Sequence, residues 1–263
     1  MRAIILASGS KANATYLEIN GSKVLIDCGL SYRQIVQRLN ERGKNLDGLE
    51  AVFITHEHMD HVAGLRVLAK NHNLKIILSK GTYDNLDKRF YGDILPEMFV
   101  ITSDLQQLDF GNYSVLPFNT YHDASEPLGY KFIEQEKTLV YLTDTGYFPI
   151  KSLKELKNSD CYIIEANHEV ELLLESARPW MLKKRILDDQ GHLSNEDSAS
   201  LVINLLGERT KQIILAHLSL ECNYEEIALK TYEKVFYNEG IDILSYKIIT
   251  AKQNHSTEEI IIE

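Results

Sequence analysis

The feature that most narrows what this chain can fold into is a short run of donors, T-H-E-H-M-D-H at 55–61. It follows directly on the apolar run AVFIT and precedes a stretch with helical periodicity. His56 and His58 are two apart in an extended segment, so both side chains can face one side. Asp60 and His61 open the next helix, where the chain reverses and returns two more donors to the same point. Imidazole and carboxylate suit zinc, iron or manganese, and Asp beside an open position fits hydrolysis better than a closed structural site. Four groups do not complete two metal sites, so the remaining ligands must come from elsewhere.

Candidates sit at the ends of apolar runs. His122 follows VLPFNTY, Asp144 ends TLVYLTD and His217 ends QIILAH. Any one of them alone would read as a packed, hydrogen-bonded residue. Three together beside the 55–61 cluster point to metal ligation. His72 and His255 lie in polar surroundings without such a pattern and are expected to be solvent-exposed.

Short β-type runs occupy Arg2–Leu6, Thr15–Ile19 and Lys23–Asp27, with Asn20-Gly21 as a hairpin turn. Further strands are expected over Ala51–Thr55, Lys75–Leu78, pieces of Gln107–Tyr141, Cys161–Glu165, Lys211–Ala216 and Ser245–Thr250. Helices are expected over 31–43, His61–His72, 170–187, 195–206 and 224–239, with a helical turn over Tyr83–Phe90. Two sheets packed on each other with helices outside fit this α/β order. With 263 residues, no repeat and no Pro/Gly/Ser-rich linker, the expectation is a single domain over 1–263. No apolar run reaches the ~20 residues of a membrane span, and the N-terminal apolar stretch is too short for a signal peptide. The three scattered cysteines imply no disulfide framework, so the expected compartment is the reducing cytoplasm. A net charge of -10 argues against a protein that coats nucleic acid in bulk, though not against a nuclease whose metals meet the phosphates.

HEHMDH, then His122, then TDTG with Asp144, then His217, is similar to the metal-motif order of the metallo-β-lactamase superfamily, and LIDCG at 25–29 matches its early Asp-containing strand. SGSKANATY at 8–16, HDASEPLGY at 122–130, EANHE at 165–169, GHLSN at 191–195 and AHLS at 216–219 resemble the bacterial YycJ (WalJ, VicX) group. The last two motifs also resemble the tRNA 3′-processing endonuclease branch. Two positions depart from the usual pattern: Lys11-Ala12, where Ser/Thr-Gly is expected, and Glu169, where Asp is more usual. Neither is a ligand. The resemblance implies a four-layer αββα sandwich with two divalent ions, zinc or manganese first and iron as a further candidate. By position, His56, His58 and His122 would hold one ion; Asp60, His61 and His217 would hold the other; Asp144 would bridge. Asp60 also counts as a catalytic residue in this reading, and His192 as proton donor or phosphate ligand. The alternative for His192 is a place beside the N-cap of the helix that follows.

The resemblance further implies a 5′→3′ exonuclease on duplex DNA ends, with nucleic acid as partner and DNA favoured over RNA. The alternatives are an RNA-processing endonuclease and a small-molecule ester or thioester hydrolase. Substrate contacts are expected from His168, which can instead hydrogen-bond a ligand, and from Arg178, Lys183 and Lys184 in RPWMLKKR, where Trp180 can stack a base or pack inward. Ser10, in the small-residue loop 8–13, can offer backbone N–H groups to a terminal phosphate, or simply join two strands.

Overall fold

The structure is a computed structural model of residues 1–263; the side chains of residues 150 and 151 lie outside the described set. The described chain has two β-sheets flanked by helices, the α/β sandwich class expected from the sequence. Its residues fall into two compact units: residues 1–119, 124–136 and 252–263 form the first, and 120–123 with 137–251 the second. No crossing between them carries a Pro- or Gly-rich linker. Among the described residues no helix is long and apolar enough to cross a membrane.

In the first unit, β1 (Arg2–Ala7), β2 (Ala14–Ile19) and β3 (Ser22–Ile26) form an antiparallel meander. Asn20 and Gly21 turn it with φ of 45° and 88°, the two left-handed residues that a tight hairpin needs. Then β4 (Leu49–Phe53), β5 (Lys75–Ser79) and β6 (Phe99–Thr102) run parallel to β3, and the closing strand Ile260–Ile261 pairs with β1. One face of this sheet takes helix Tyr32–Asn40, which buries Ile35 and Leu39 and starts on a reciprocal Ser31/Gln34 cap. The other face takes an antiparallel layer of β7 (Leu108–Asp109), β8 (Ser114–Asn119) and β9 (Leu128–Glu134). Phe53 joins the layers, its ring 5.8, 5.3 and 5.0 Å from those of Phe110, Tyr130 and Phe132. Burying that side chain is worth about 1.5–3 kcal/mol, and its edge-to-face contacts add roughly 0.5–1.5 kcal/mol each.

The second unit is built on four parallel strands: β10 (Lys137–Leu142), β11 (Cys161–Glu165), β12 (Gln212–Ala216) and β13 (Lys247–Thr250). The first three are almost wholly buried, as in a parallel sheet covered on both faces. Helices Asn195–Leu205 and Glu225–Asn238 pack together, with Ser198 and Tyr232 sharing a hydroxyl–hydroxyl bond of 2.6 Å. Because β10, β11 and β12 are parallel, their C-terminal ends open on one edge, where Asp144, Glu165 and His217 follow.

Three expectations need correction. The helix expected over 61–72 is two helices, Met59–Val62 and Leu65–Asn71. They break at Gly64, whose N–H donates to Cys28 O at 2.8 Å and where a Cβ would meet Leu30 O at 2.2 Å. The helix expected over 170–187 is likewise two, Val170–Glu175 and Trp180–Ile186, parted before Pro179. His72 is half-buried and hydrogen-bonded to the Tyr32 hydroxyl at 3.1 Å, while His255 is exposed as expected.

Candidate metal centre

In the first unit the donors gather where β3 and β4 end. His56 and His61 are fully buried, and the His56 ring lies 4.5 Å from that of His58 and 4.0 Å from that of His61. Asp60 Oδ2 is 3.5 Å from His61 Nε2. Glu57, between the first two histidines, turns aside and accepts from the Ser125 N–H and hydroxyl at 2.8 and 2.7 Å.

A second layer sets which nitrogen each imidazole offers. His61 Nδ1 donates to Asp27 Oδ2 at 2.8 Å, and His56 Nδ1 lies 3.0 Å from the Thr55 hydroxyl. Asp27 also accepts from the Thr55 N–H at 2.8 Å. In both rings Nδ1 is committed, so Nε2 is the ligand atom. Burial pushes the Asp27 carboxyl above its ordinary range, against the pull of His61 and Thr55. Asn13, fully buried, donates from its amide to Asp60 Oδ2 at 3.3 Å and to His61 Nε2 at 3.0 Å.

The second unit repeats the device. His122 Nδ1 donates to Gly191 O at 3.1 Å, and His217 Nδ1 to Glu165 Oε1 at 3.1 Å. Their Nε2 atoms lie 3.9 and 3.5 Å from Asp144 Oδ1. His192 Nδ1 donates to the same Glu165 Oε1 at 2.7 Å, while Oε2 accepts from Thr145 N–H at 3.0 Å. Burial alone would raise the Glu165 carboxyl; the His192 charge and the bonds from His192 and His217 outweigh it and hold the group well below the ordinary carboxylate range. One donor atom from each of Asp144, Glu165, His192 and His217 lies within 4.8 Å of the others. Asp27, Asp144 and His217 all leave their strands in the left-handed conformation, with φ of 57°, 57° and 56°. That conformation ends the in-out alternation of the strand.

The donor chemistry in each unit fits a divalent ion: imidazoles oriented through Nδ1 beside carboxylates. The expected ligands His56, His58, Asp60 and His61 come together in the first unit, and Asp144 and His217, with His122 beside them, in the second. His192 is part-exposed, at 19%, and Ser194 caps the helix that follows, as the alternative reading of this stretch expected. Asp27, Thr55, Glu165 and Asn13 carried no assigned role in the sequence reading. The signal for two of them was a carboxylate closing a wholly apolar strand, LID and CYIIE.

The expected substrate contacts fare unevenly. Lys183 is buried, its ammonium held by Leu174 O and Ser176 O at 2.6 and 2.7 Å at the end of a helix, so it does not face a phosphate. Arg178 pairs with Glu221 at 2.9 Å, and neighbouring Arg185 pairs with Asp123, so two of the four cations in that run are neutralised locally. Lys184 and Ser10 are exposed, and Trp180 is 64% exposed rather than packed inward. His168 is 1% exposed and, among the described residues, neither ring nitrogen has a hydrogen-bond partner, so it neither reaches solvent nor supports a ligand. Burial pushes its imidazole down to about 4.

The chain is similar to known proteins over most of its length. Residues 22–218 match the model of the beta-lactamase superfamily domain. Exodeoxyribonuclease WalJ of Streptococcus pneumoniae (strain D39) is 41% identical over 228 residues, covering 86% of this chain and 85% of that protein. Exodeoxyribonuclease YycJ of Bacillus anthracis is 34% identical, covering 91% and 90%. The metallo-beta-lactamase fold protein YhfI from Bacillus subtilis superposes with a TM-score of 0.73 at 16% identity, covering 98% of this chain and 99% of that one, a likeness of fold.

Proposed function

The chain belongs to the metallo-β-lactamase superfamily, within the group of WalJ and YycJ, and from that premise we propose that it is a metal-dependent exodeoxyribonuclease that degrades duplex DNA from the 5′ end. The observation that carries the reading is the second layer found in each unit. His56, His61, His122, His217 and His192 are each secured through Nδ1, which leaves Nε2 to serve an ion or substrate, in His61 by displacing the Asn13 amide. The family pattern assigns His56, His58 and His122 to one divalent ion and Asp60, His61 and His217 to another, with Asp144 serving both and Asp60 also catalytic. Zinc or manganese suits these donors first, and iron next. The chemistry such ions supply is activation of water and polarisation of a phosphodiester.

The protein's own groups do the rest. Glu165 keeps a proton on His192 Nδ1, so exchange with the leaving O3′ takes place at Nε2. Water oxygen joins phosphorus and releases a proton to solvent, the P–O3′ bond breaks, and the proton from Nε2 completes the free 3′ hydroxyl, after which Nε2 takes up a proton from solvent. The same carboxylate fixes His217, so the proton donor and a ligand are oriented by one residue. Of the 178–185 cations, exposed Lys184 is the one kept as a phosphate contact. In the 8–13 loop the N–H groups of Ser8, Gly9, Lys11, Ala12 and Asn13 are taken up by Lys252 O, Asn13 Oδ1, Gln253 Oε1, Gly9 O and Asp60 O, so the loop could meet a phosphate only through exposed Ser10. The reduced cysteines, all buried, fit a cytoplasmic setting.

The test is a panel of single- and double-stranded DNA and RNA, with and without a 5′ phosphate, with manganese, zinc and magnesium supplied in turn. Linear duplex DNA is expected to release mononucleotides from the 5′ end while a closed circle stays intact. Internal cuts on the circle, or a preference for RNA, would replace the exonuclease reading with an endonuclease.

A further inference from the structure

Two tyrosines of the second unit stand in water beside the candidate ligands. Tyr121 directly precedes His122, and Tyr147 lies three residues beyond Asp144. They are 38% and 46% exposed, and their rings meet edge to face, with centroids 5.8 Å apart at 71°. The backbones that carry them are joined by hydrogen bonds.

Thr145 ties the two loops together. Its hydroxyl accepts from the Tyr121 N–H at 3.0 Å and donates to Tyr147 O at 2.6 Å. Gly146 N–H donates to Tyr121 O at 2.9 Å. A side chain at Gly146 would collide with Asp188 O, 2.2 Å from where its Cβ would sit, so this loop lies directly against the segment leading to His192. Thr145 N–H in turn reaches Glu165, the carboxylate that orients His192 and His217. The loops that carry the ring pair are therefore tied to the carboxylate that orients His192 and His217.

We infer that Tyr121 and Tyr147 form a nucleobase-stacking subsite that holds the base of the nucleotide at the scissile phosphate; the inference rests on the nuclease reading above. Tyr121 adjoins His122 and Tyr147 lies three residues from Asp144, so a nucleotide whose phosphodiester is handled at these residues would bring its base to the same two loops. Arg178 and Arg185 are paired with Glu221 and Asp123 and Lys183 is buried, so stacking would supply affinity that these cations do not. Every base has an aromatic face, so such a platform accepts all four bases, as an exonuclease without sequence preference would need.

The test replaces Tyr121, Tyr147 or both with Ala and with Phe. Substrates are 5′-phosphorylated duplexes whose terminal nucleotide is intact or abasic, and binding is read separately by quenching of a terminal 2-aminopurine under chelation, where nothing turns over. On the intact end the Ala variants are expected to lose ~5- to ~100-fold in affinity and in kcat/KM, the size of a base–aromatic stack. Phe should restore both, and on the abasic end Ala and wild type should coincide. Equal loss on the abasic end, Phe no better than Ala, or unquenched 2-aminopurine in the wild type would each overturn the subsite. Failure of the wild type to degrade any nucleic acid end would instead overturn the nuclease reading.

Discussion

Replacing His168 should make the protein more resistant to acid, by an amount the structure sets. The ring is buried and uncharged, titrating near 4 in the folded chain against about 6.5 when free, chiefly because burial disfavours the charged form. Between those values the unfolded chain binds the extra proton and the folded chain does not, so stability rises with pH across this window and is lost as pH falls from 6.5 towards 4. The full difference is roughly 3 kcal/mol, of which about 2 kcal/mol has been lost by pH 5. His168→Leu and His168→Asn cannot take up that proton. Urea unfolding under chelation, followed from pH 8 to pH 5, should show a constant gap between wild type and either variant above pH 7. Below pH 6.5 that gap should shift by about 2 kcal/mol in the variant's favour. Parallel curves would mean that the ring titrates normally, and a shift of opposite sign would mean that it is held charged by an acidic partner. Either result would refute the argument.

Three further expectations follow from the site. His192→Ala should leave bound metal unchanged in elemental analysis while turnover falls by ~10²–10⁴; loss of metal instead would make His192 a ligand. Glu165→Gln keeps the shape but removes the charge shared by two rings, so metal affinity or activity should drop by ~10–100-fold in metal titration and rate assays, and normal values would show that the carboxylate does not orient them. Gly64→Ala forces a Cβ against Leu30 O and should cost ~1–3 kcal/mol in urea unfolding, with no loss expected only if the turn between the two helices relaxes freely.

Much of this was legible in the residues. Periodicity located the strands within a few residues, the Asn20-Gly21 pair set a hairpin turn, and the 55–61 cluster located the donors of the first unit. What stayed hidden depends on close approach or on distant partners. Gly64 reads as an ordinary helical glycine until Cys28 and Leu30 are seen against it. Lys183 reads as a surface cation, although its ammonium completes the end of a neighbouring helix. Arg178 and Arg185 look like a phosphate grip, but their neutralising partners, Glu221 and Asp123, lie some 40 and 60 residues away in the chain. His168 gives no local sign of its burial, because the segments that cover it arrive from the 190s and the 220s.

The left-handed backbone at Asp144 and His217 bears on which metals such a site can adopt. Beyond glycine, the residues that most readily take this conformation are Asn, Asp and His. Two of these are metal ligands of the nitrogen–oxygen kind. Glu and Cys, the substitutions that would retune a centre towards other ions, would each meet a backbone penalty of ~1–2 kcal/mol before any coordination bond forms. At these positions the main chain and the ion select the same small set of side chains. Ligand exchange should therefore prove easier at His56 and His58, neither of which has a positive φ, than at 144 or 217.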